Sequence, residues 1–500
     1  MGRKGPGGKT EQNRRSRQRN WGATAGSASL VGADGTGLLK PVGRVWDLLP
    51  YRSEHLQCTV GGAPGGDGPR EAQVTGTDIE RNSDMAATSN EAASTKVHGA
   101  FPSFGALQGL TIIDTGTVVA APFACELAAE AGAQVIRLSL PTPDIVEMSP
   151  ERLQSGNGSV STWWAQENRN KLDMVIDFTK PEAKEVFGKL LMRADIWMES
   201  SRPGTYSERL GITDEWALGI NPRLVIVHVS GFGQDGDPGT YNRASYDVIG
   251  QAFSGFMSMN GEPDGPPMKV SPFVNDYITA LFALWSALAA YISVQRTGCG
   301  QTVDVAQYEC QFKLLACGVM DYLMLGDEHP RTGNDDPSGV QPYGVYPARE
   351  GHISIGAIGG PFLRLKSIVP GLDQDKLQTV VDQIVYADEI KENVVAWLAG
   401  LSADEAEQIL SSHNIPCSKV MTVHDIATNP HYQARDMVIE WEDEVGGRVR
   451  GTGMVPKFSG TPSQVWRGAP TRGRDTDAIL AWSGCDDAQI ATLKTAGTVQ

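Results

Sequence analysis

The stretch NDYITALFALWSALAAYISVQ places one carboxylate, Asp276, at the mouth of a long apolar run. Asn275 is a good helix N-cap, so Asp276 falls in the first turn, where unpaired N–H groups and the helix dipole favour negative charge. Two roles fit that position. Asp276 can stabilise the helix end, or, held rigid and poorly solvated against an apolar core, it can face a cleft and act as a covalent nucleophile. Arg202 in SSRPG and Arg209 in SERLG follow a strand end, where an anionic ligand could be gripped. Trp163 and Trp164 form an aromatic pair with either a packing or a ligand-binding role. Other chemistries lose their markers: there is no GxSxG elbow, no HExxH and no metal-ligand spacing among the eight histidines. The tail sequence GRKGPGGKT approaches a P-loop, but its first glycine position holds Arg3 and no strand precedes it.

The elements that must position these residues alternate. LTIID reads as a strand, APFACELAAEAG as a helix with Pro122 in its first turn, and AQVIRLSL as a second strand. LDMVIDF is a third. Thr179 and Glu182 form a capping-box signature for the helix PEAKEVFGKLLMRA, which leads to the strand DIWMES. Thr213 caps DEWALG, and RLVIVHVSGFG supplies a buried strand ending in glycines. The Asp276 helix runs to about Gln295 and stops at RTGCG; QTVDVAQYE reads as a strand and residues 308–325 as a helix. Such alternation predicts an α/β fold, a parallel sheet covered by helices on both faces. No GxGxxG follows the first strand, so a dinucleotide fingerprint is absent.

The chain has 500 residues, enough for more than one core. Four parts are predicted: a basic, Gly-rich, disordered extension over 1–104, a large domain over 105–329, a smaller α+β domain over 330–435, and a C-terminal segment over 436–500. Residues 1–100 carry 13 Lys and Arg against 10 Asp and Glu, while the rest carries 30 against 49. The net charge of −16 argues against a nucleic-acid partner, whose binding would draw on Lys and Arg. Seven scattered cysteines without a CxxC pair suggest a reducing, cytoplasmic setting. The run Ile278 to Val294 is near the lower length limit for a membrane span and is interrupted by Thr279, Ser286 and Ser293, so it is expected to be a buried core helix, with no membrane partner.

Taken in order, GAQVIRL, ENRNKLDMVIDF, NPRLVIVHVSGFGQDG, SYDVIGQAFSGFMSMNG, NDYITA, TGCGQTVDVAQYE and PYGVYPAREGHISI resemble the class III CoA-transferases from about residue 105 to the end. That resemblance implies a Rossmann-like large domain, a smaller domain and two interlocked ring-shaped protomers in a homodimer. It implies that Asp276 attacks an acyl-CoA thioester to give an aspartyl anhydride. CoA then forms an aspartyl-CoA thioester, and the acceptor acid and CoA complete the exchange. Coenzyme A or acyl-CoA enters as substrate, with no metal or redox cofactor. Matching positions assign Arg209, Arg202, Asn170 and Lys171 to CoA, and Tyr246 and Asp247 to the site lining.

Within the family, GITDE, QAFSGFM, MDY before HPRTG, and MVPKFSGTPSQVWRGAPTRGRDTDAIL point to members that use carnitine- and betaine-type acids, the alternatives being a member that uses a dicarboxylate or an aryl acid, or a non-catalytic CoA-binding scaffold. A trimethylammonium group would then lie against aromatic faces, with Trp163, Trp164 and Tyr277 as candidates. Some positions depart from the family. Ser139 stands where relatives carry a glutamate. DDPSGVQPYG replaces the glycine-run loop of oxalate-using members. Tyr246 stands where the racemase members have histidine, which disfavours proton shuttling.

Overall fold

The computed structural model describes residues 101–500. Most of the expected 1–104 extension lies outside the described residues. At its end Phe101 and Phe104 are buried, and the Phe101 ring packs edge-on against Trp466, so these residues already belong to the folded part.

Six strands build the main sheet: β1 (Thr111–Thr115), β2 (Gln134–Ser139), β3 (Leu172–Val175), β4 (Ile196–Glu199), β5 (Val225–Ser230) and β6 (Gln301–Ala306). Their order is β3-β2-β1-β4-β5-β6, and every neighbouring pair is parallel. This is the doubly wound arrangement predicted from the alternation. Residues of β2 and β5 are buried along their whole length, as expected for strands covered on both faces. The α-helices up to residue 325 are α1 (Ala120–Glu130), α2 (Thr162–Glu167), α3 (Pro181–Leu191), α4 (Asp214–Ile220), α5 (Asp247–Phe253), α6 (Val274–Thr297), α7 (Gln307–Phe312) and α8 (Gly318–Leu325).

One face of the sheet packs against α3, α4 and the late helix Thr476–Ser483 around Trp197, Phe187, Ile226 and Leu480. The other packs against α1 and α6. There Ala280, Ala283, Ala287 and Ala290 of α6 meet Ala121, Ala124 and Ala128 of α1, and side chains this small let the helix backbones approach closely. Among the described residues α6 is the one helix long and apolar enough to cross a membrane. Half of its buried residues are alanine, while Leu281, Trp285 and Ile292 point outward and are exposed. The expectation of a buried core helix therefore holds for one face only.

Several local expectations shift. Helix α3 has Lys180 at its N-cap with no side-chain cap, because Thr179 bonds Asp177 instead. Thr213 caps α4 as expected, accepting from the Trp216 N–H. The strand expected over QTVDVAQYE ends at Ala306, and the helix expected over 308–325 is two helices, α7 and α8.

A separate antiparallel sheet of Tyr343–Pro347, His352–Gly356 and Cys417–Lys419 has its own core, including Tyr346, Ile353, Phe362, Ile390 and Leu410. The C-terminal segment comes back to the main sheet. The Asp173 N–H donates to Asp475, the Gln500 N–H donates to the Val175 carbonyl, and Ile176 bridges Val499. Sheet edge β3 is thereby covered.

Candidate active site

In a doubly wound sheet, β1 and β4 send their following helices to opposite faces, and the crevice between their carboxyl ends is the usual binding place. Here that crevice is a cavity of about 300 Å³. Its walls are the turn from β1 into α1 (Thr117 to Ala120), the residues after β4 (Ser200 to Pro203), the end of β5 (Val229 to Gly231), the loop Arg243 to Tyr246, Asp276 and Gln307. A second cavity of about 170 Å³ shares the Thr117 and Ser201 walls and contains Arg209, Tyr206 and Phe178. Arg202 therefore lines the first cavity and Arg209 the second. Both are exposed, and neither forms an ion pair among the described residues.

Asp276 is only 5% exposed and lies in the first turn of α6. Asn275 is not its cap: the helix begins at Val274, and Asp247 caps it from α5. One Asp247 oxygen accepts from the Asn275 N–H at 2.8 Å and the Asp276 N–H at 3.3 Å, while the other accepts from Gln251 at 2.7 Å. Asn275 is fully buried and presses on Gly250, where a Cβ would stand 1.9 Å from its amide nitrogen. Glycine there lets α5 and α6 close up.

The Gln307 side-chain N–H donates to Asp276 Oδ1 at 2.6 Å. No Lys, Arg or His forms an ion pair with Asp276 among the described residues. Burial, then the charges of Asp247 and Glu167, push the Asp276 carboxyl up to about 7. Burial also raises Glu167, which accepts a hydrogen bond from the Tyr277 hydroxyl. A hydrogen-bonded carboxylate of this kind, rigid and poorly solvated, is equipped for nucleophilic attack on a carbonyl carbon. The amide of Gln307 sits where it can donate to the oxygen that stays behind.

A buried ionic group holds one cavity wall. His228 Nδ1 lies 2.6 Å from Glu199 and Nε2 3.0 Å from Asp214. Burial alone would lower its pKa, but the bonds to Asp214 and Glu199 raise the imidazole to about 10, so it is a cation at neutral pH. Glu199 in turn accepts the Ser201 N–H at 2.6 Å, fixing the segment that carries Arg202.

The remaining positions separate. Tyr246 lines the cavity and Asp247 lies behind it as the cap. Asn170 and Lys171 are fully buried and line neither cavity. The Lys171 ammonium donates to Asp114 at 3.1 Å, the Pro122 carbonyl at 2.7 Å and Asn168 at 3.0 Å. Asn170 donates to the Gln464 carbonyl and accepts from the Trp466 N–H, tying down the C-terminal segment. Ser139 donates to Asp173 at 2.5 Å.

The three candidate aromatics do not form one cage. Trp163 stacks on Phe273 with ring centroids 5.1 Å apart, Trp164 is covered by the Arg137 guanidinium at 5.0 Å, and Tyr277 meets Phe123 edge-on. Sequence reasoning missed Gln307 by extending β6 through it. Its signal was available: it directly follows a parallel strand, at the carboxyl end where such sheets place binding residues. Glu167 carried no comparable signal.

Residues 107–476 match the model of CoA-transferase family III. The chain is 40% identical over 400 residues to the bile acid CoA-transferase BaiK of Clostridium scindens, covering 78% of this chain and 88% of that one. Among solved structures, a CAIB/BAIF family protein from Brucella suis superposes with a TM-score of 0.68 at 25% identity, covering 76% of this chain and all of the other. Rv3272 from Mycobacterium tuberculosis shares the fold at a TM-score of 0.66 and 22% identity, covering 76% of this chain and 100% of that one. With the match spanning most of its length, this chain belongs to CoA-transferase family III.

Proposed function

We propose that this CoA-transferase works through Asp276, moving CoA from an acyl-CoA to a free carboxylic acid by way of an aspartyl anhydride and an aspartyl-CoA thioester. The observation that carries this reading is the buried Asp276 carboxylate facing the switch-point cavity, bonded to Gln307 and unpaired with any described cation. Attack by one oxygen on the thioester carbonyl expels CoA thiolate, and the returning thiolate attacks the aspartyl carbonyl as the donor acid leaves. The acceptor acid repeats the sequence in reverse. Tetrahedral oxyanions form at each step, and the Gln307 amide is the donor at hand. Arg202 and Arg209, in adjoining cavities, supply free guanidinium groups for the phosphates of CoA. In this reading Asp247 and Tyr246 shape the site, while Asn170 and Lys171 support it from beneath.

For the acid, the likeness to BaiK over most of both chains supports a bulky apolar carboxylate of the bile-acid type. A second reading, a carnitine- or betaine-type acid, draws on the stretches GITDE and MVPKFSGTPSQVWRGAPTRGRDTDAIL, while Glu167 and Tyr277 are bonded to each other and line neither cavity. Mass-spectrometric exchange tests both: cholyl-CoA or γ-butyrobetainyl-CoA is offered with bile acids, carnitine, dicarboxylates and aryl acids. Exchange between bile acids alone supports the first reading and carnitinyl-CoA the second. No exchange with any pair contradicts both.

The proposal includes the division at 105–329, 330–435 and 436–500, a cytoplasmic location and a homodimer. Exposed Leu281, Trp285 and Ile292 on α6 offer apolar surface for a second copy to cover. Mass photometry at nanomolar concentration should find dimers; folded monomers would contradict this.

A further inference from the structure

We propose that Cys317, Asp321 and His329 form a binding site for a divalent cation of the zinc class. Cys317 and Asp321 are one helical turn apart at the start of α8, and the Asp321 N–H donates to the Cys317 carbonyl at 2.8 Å, so both side chains share a face. Helix α8 then ends at Gly326 in a left-handed turn (φ 74°), a conformation glycine adopts without strain. The chain doubles back, and His329 Nε2 arrives 2.8 Å from Asp321 Oδ2. The sulfur, carboxylate and imidazole ligand atoms all lie within 4.8 Å of one another.

The surroundings fix the ring. His329 Nδ1 packs over Gly318, where a Cβ would stand 3.9 Å away, and the Met259 sulfur lies 4.0 Å from the same point. With Nδ1 turned to the helix, Nε2 is the nitrogen presented to the other ligands.

One nitrogen, one oxygen and one sulfur make a borderline-soft donor set that suits zinc and not magnesium or calcium, which take oxygen ligands. Three protein ligands leave a fourth tetrahedral position, and Cys317 is exposed, so water can fill it. On binding, the thiol loses its proton to solvent, and the cation replaces the hydrogen bond between His329 and Asp321. The segment after α8, which leads to the antiparallel sheet, is thereby clamped to the helix. None of the three residues lines either cavity, so this site is independent of the transfer chemistry.

The test is titration of the full-length protein with Co(II), followed by thiolate-to-cobalt absorption in the near ultraviolet. One equivalent should bind and be displaced by zinc. Cys317→Ser should abolish the absorption, and His329→Ala should weaken binding by roughly tenfold or more. Asp321→Asn, which retains a hydrogen-bonding partner for His329, should also weaken it, while Cys299→Ser should not. Zinc should raise the Tm of the unmodified protein alone, reversibly with chelator. Absence of saturable thiolate absorption, or equal binding by Cys317→Ser and His329→Ala variants that melt normally without metal, would overturn the proposal and leave a hydrogen-bonded triad.

Discussion

Two buried aspartates on the same fold have opposite surroundings. Asp114, at the end of β1, has Lys171 at 3.1 Å and Arg137 at 3.6 Å. Asp276, at the mouth of α6, has Asp247 and Glu167 as its charged neighbours and no described cation in ion-pair range. A buried charge is tolerated when it is paired, and removing one partner of such a pair is expensive. A buried carboxylate among other carboxylates is costly for the fold, and such places are where reactive groups are found. Under the proposed function, that difference in pairing separates a carboxylate that supports the site from the one that reacts.

The sharpest way to break the contrast is to remove each aspartate's defining feature. Asp276→Ala should lower transfer by on the order of 10⁴-fold or more while the protein still melts cooperatively. Lys171→Met should do the reverse, costing about 3–5 kcal/mol of stability by leaving Asp114 short of a cation, with kcat per folded molecule little changed. Denaturant unfolding beside steady-state kinetics checks both. A stable Lys171→Met protein with a raised KM for acyl-CoA would instead restore Lys171 to the CoA site.

Gln307→Ala removes the 2.6 Å bond to Asp276 and should lower kcat by about 10–100-fold, with a smaller effect on KM. An equal loss in KM alone would make Gln307 a binding group.

The pH dependence sharpens the comparison further. With the Asp276 carboxyl raised to about 7, kcat/KM of the free enzyme should fall about tenfold per unit below that value. Asp247→Asn, which still offers an oxygen to cap α6, should move this limb to lower pH. For stability, the folded state binds the Asp276 proton more tightly than the unfolded chain does. Between the ordinary carboxylate range and about 7, stability therefore falls as pH rises. Asp276→Asn should melt above the unmodified protein at about pH 8, and the gap should close near pH 4. A gap that widens toward acid would mean that Asp276 is paired after all.

Most of the sheet was legible because each strand is a short apolar run between helix signals, and parallel connections leave few topologies. Asp276 was legible because a charged residue opening an apolar helix stands out. What opposed it was not. The cap expected from neighbouring Asn275 comes from Asp247, 29 positions earlier, and the Gln307 bond spans 31 positions. Neither distance has a periodic signature. Lys171 and Asn170 are assigned to CoA by the resemblance, yet their partners are Asp114, Asn168 and the main chain of Pro122 and Gln464, which only tertiary structure brings together. Thr179 had the spacing of a capping box but sits beside Asp177, a closer partner.

In the proposed mechanism Asp276 becomes covalently attached to acyl and CoA groups during turnover. The direct measurement is acid quenching of the protein during turnover with an acyl-CoA it uses, followed by proteolysis and peptide mass spectrometry. The expected result is a CoA thioester on the peptide containing Asp276, converted to a hydroxamate by hydroxylamine and absent from Asp276→Ala. Turnover with no adduct on that peptide, or with the adduct on another residue, would contradict it.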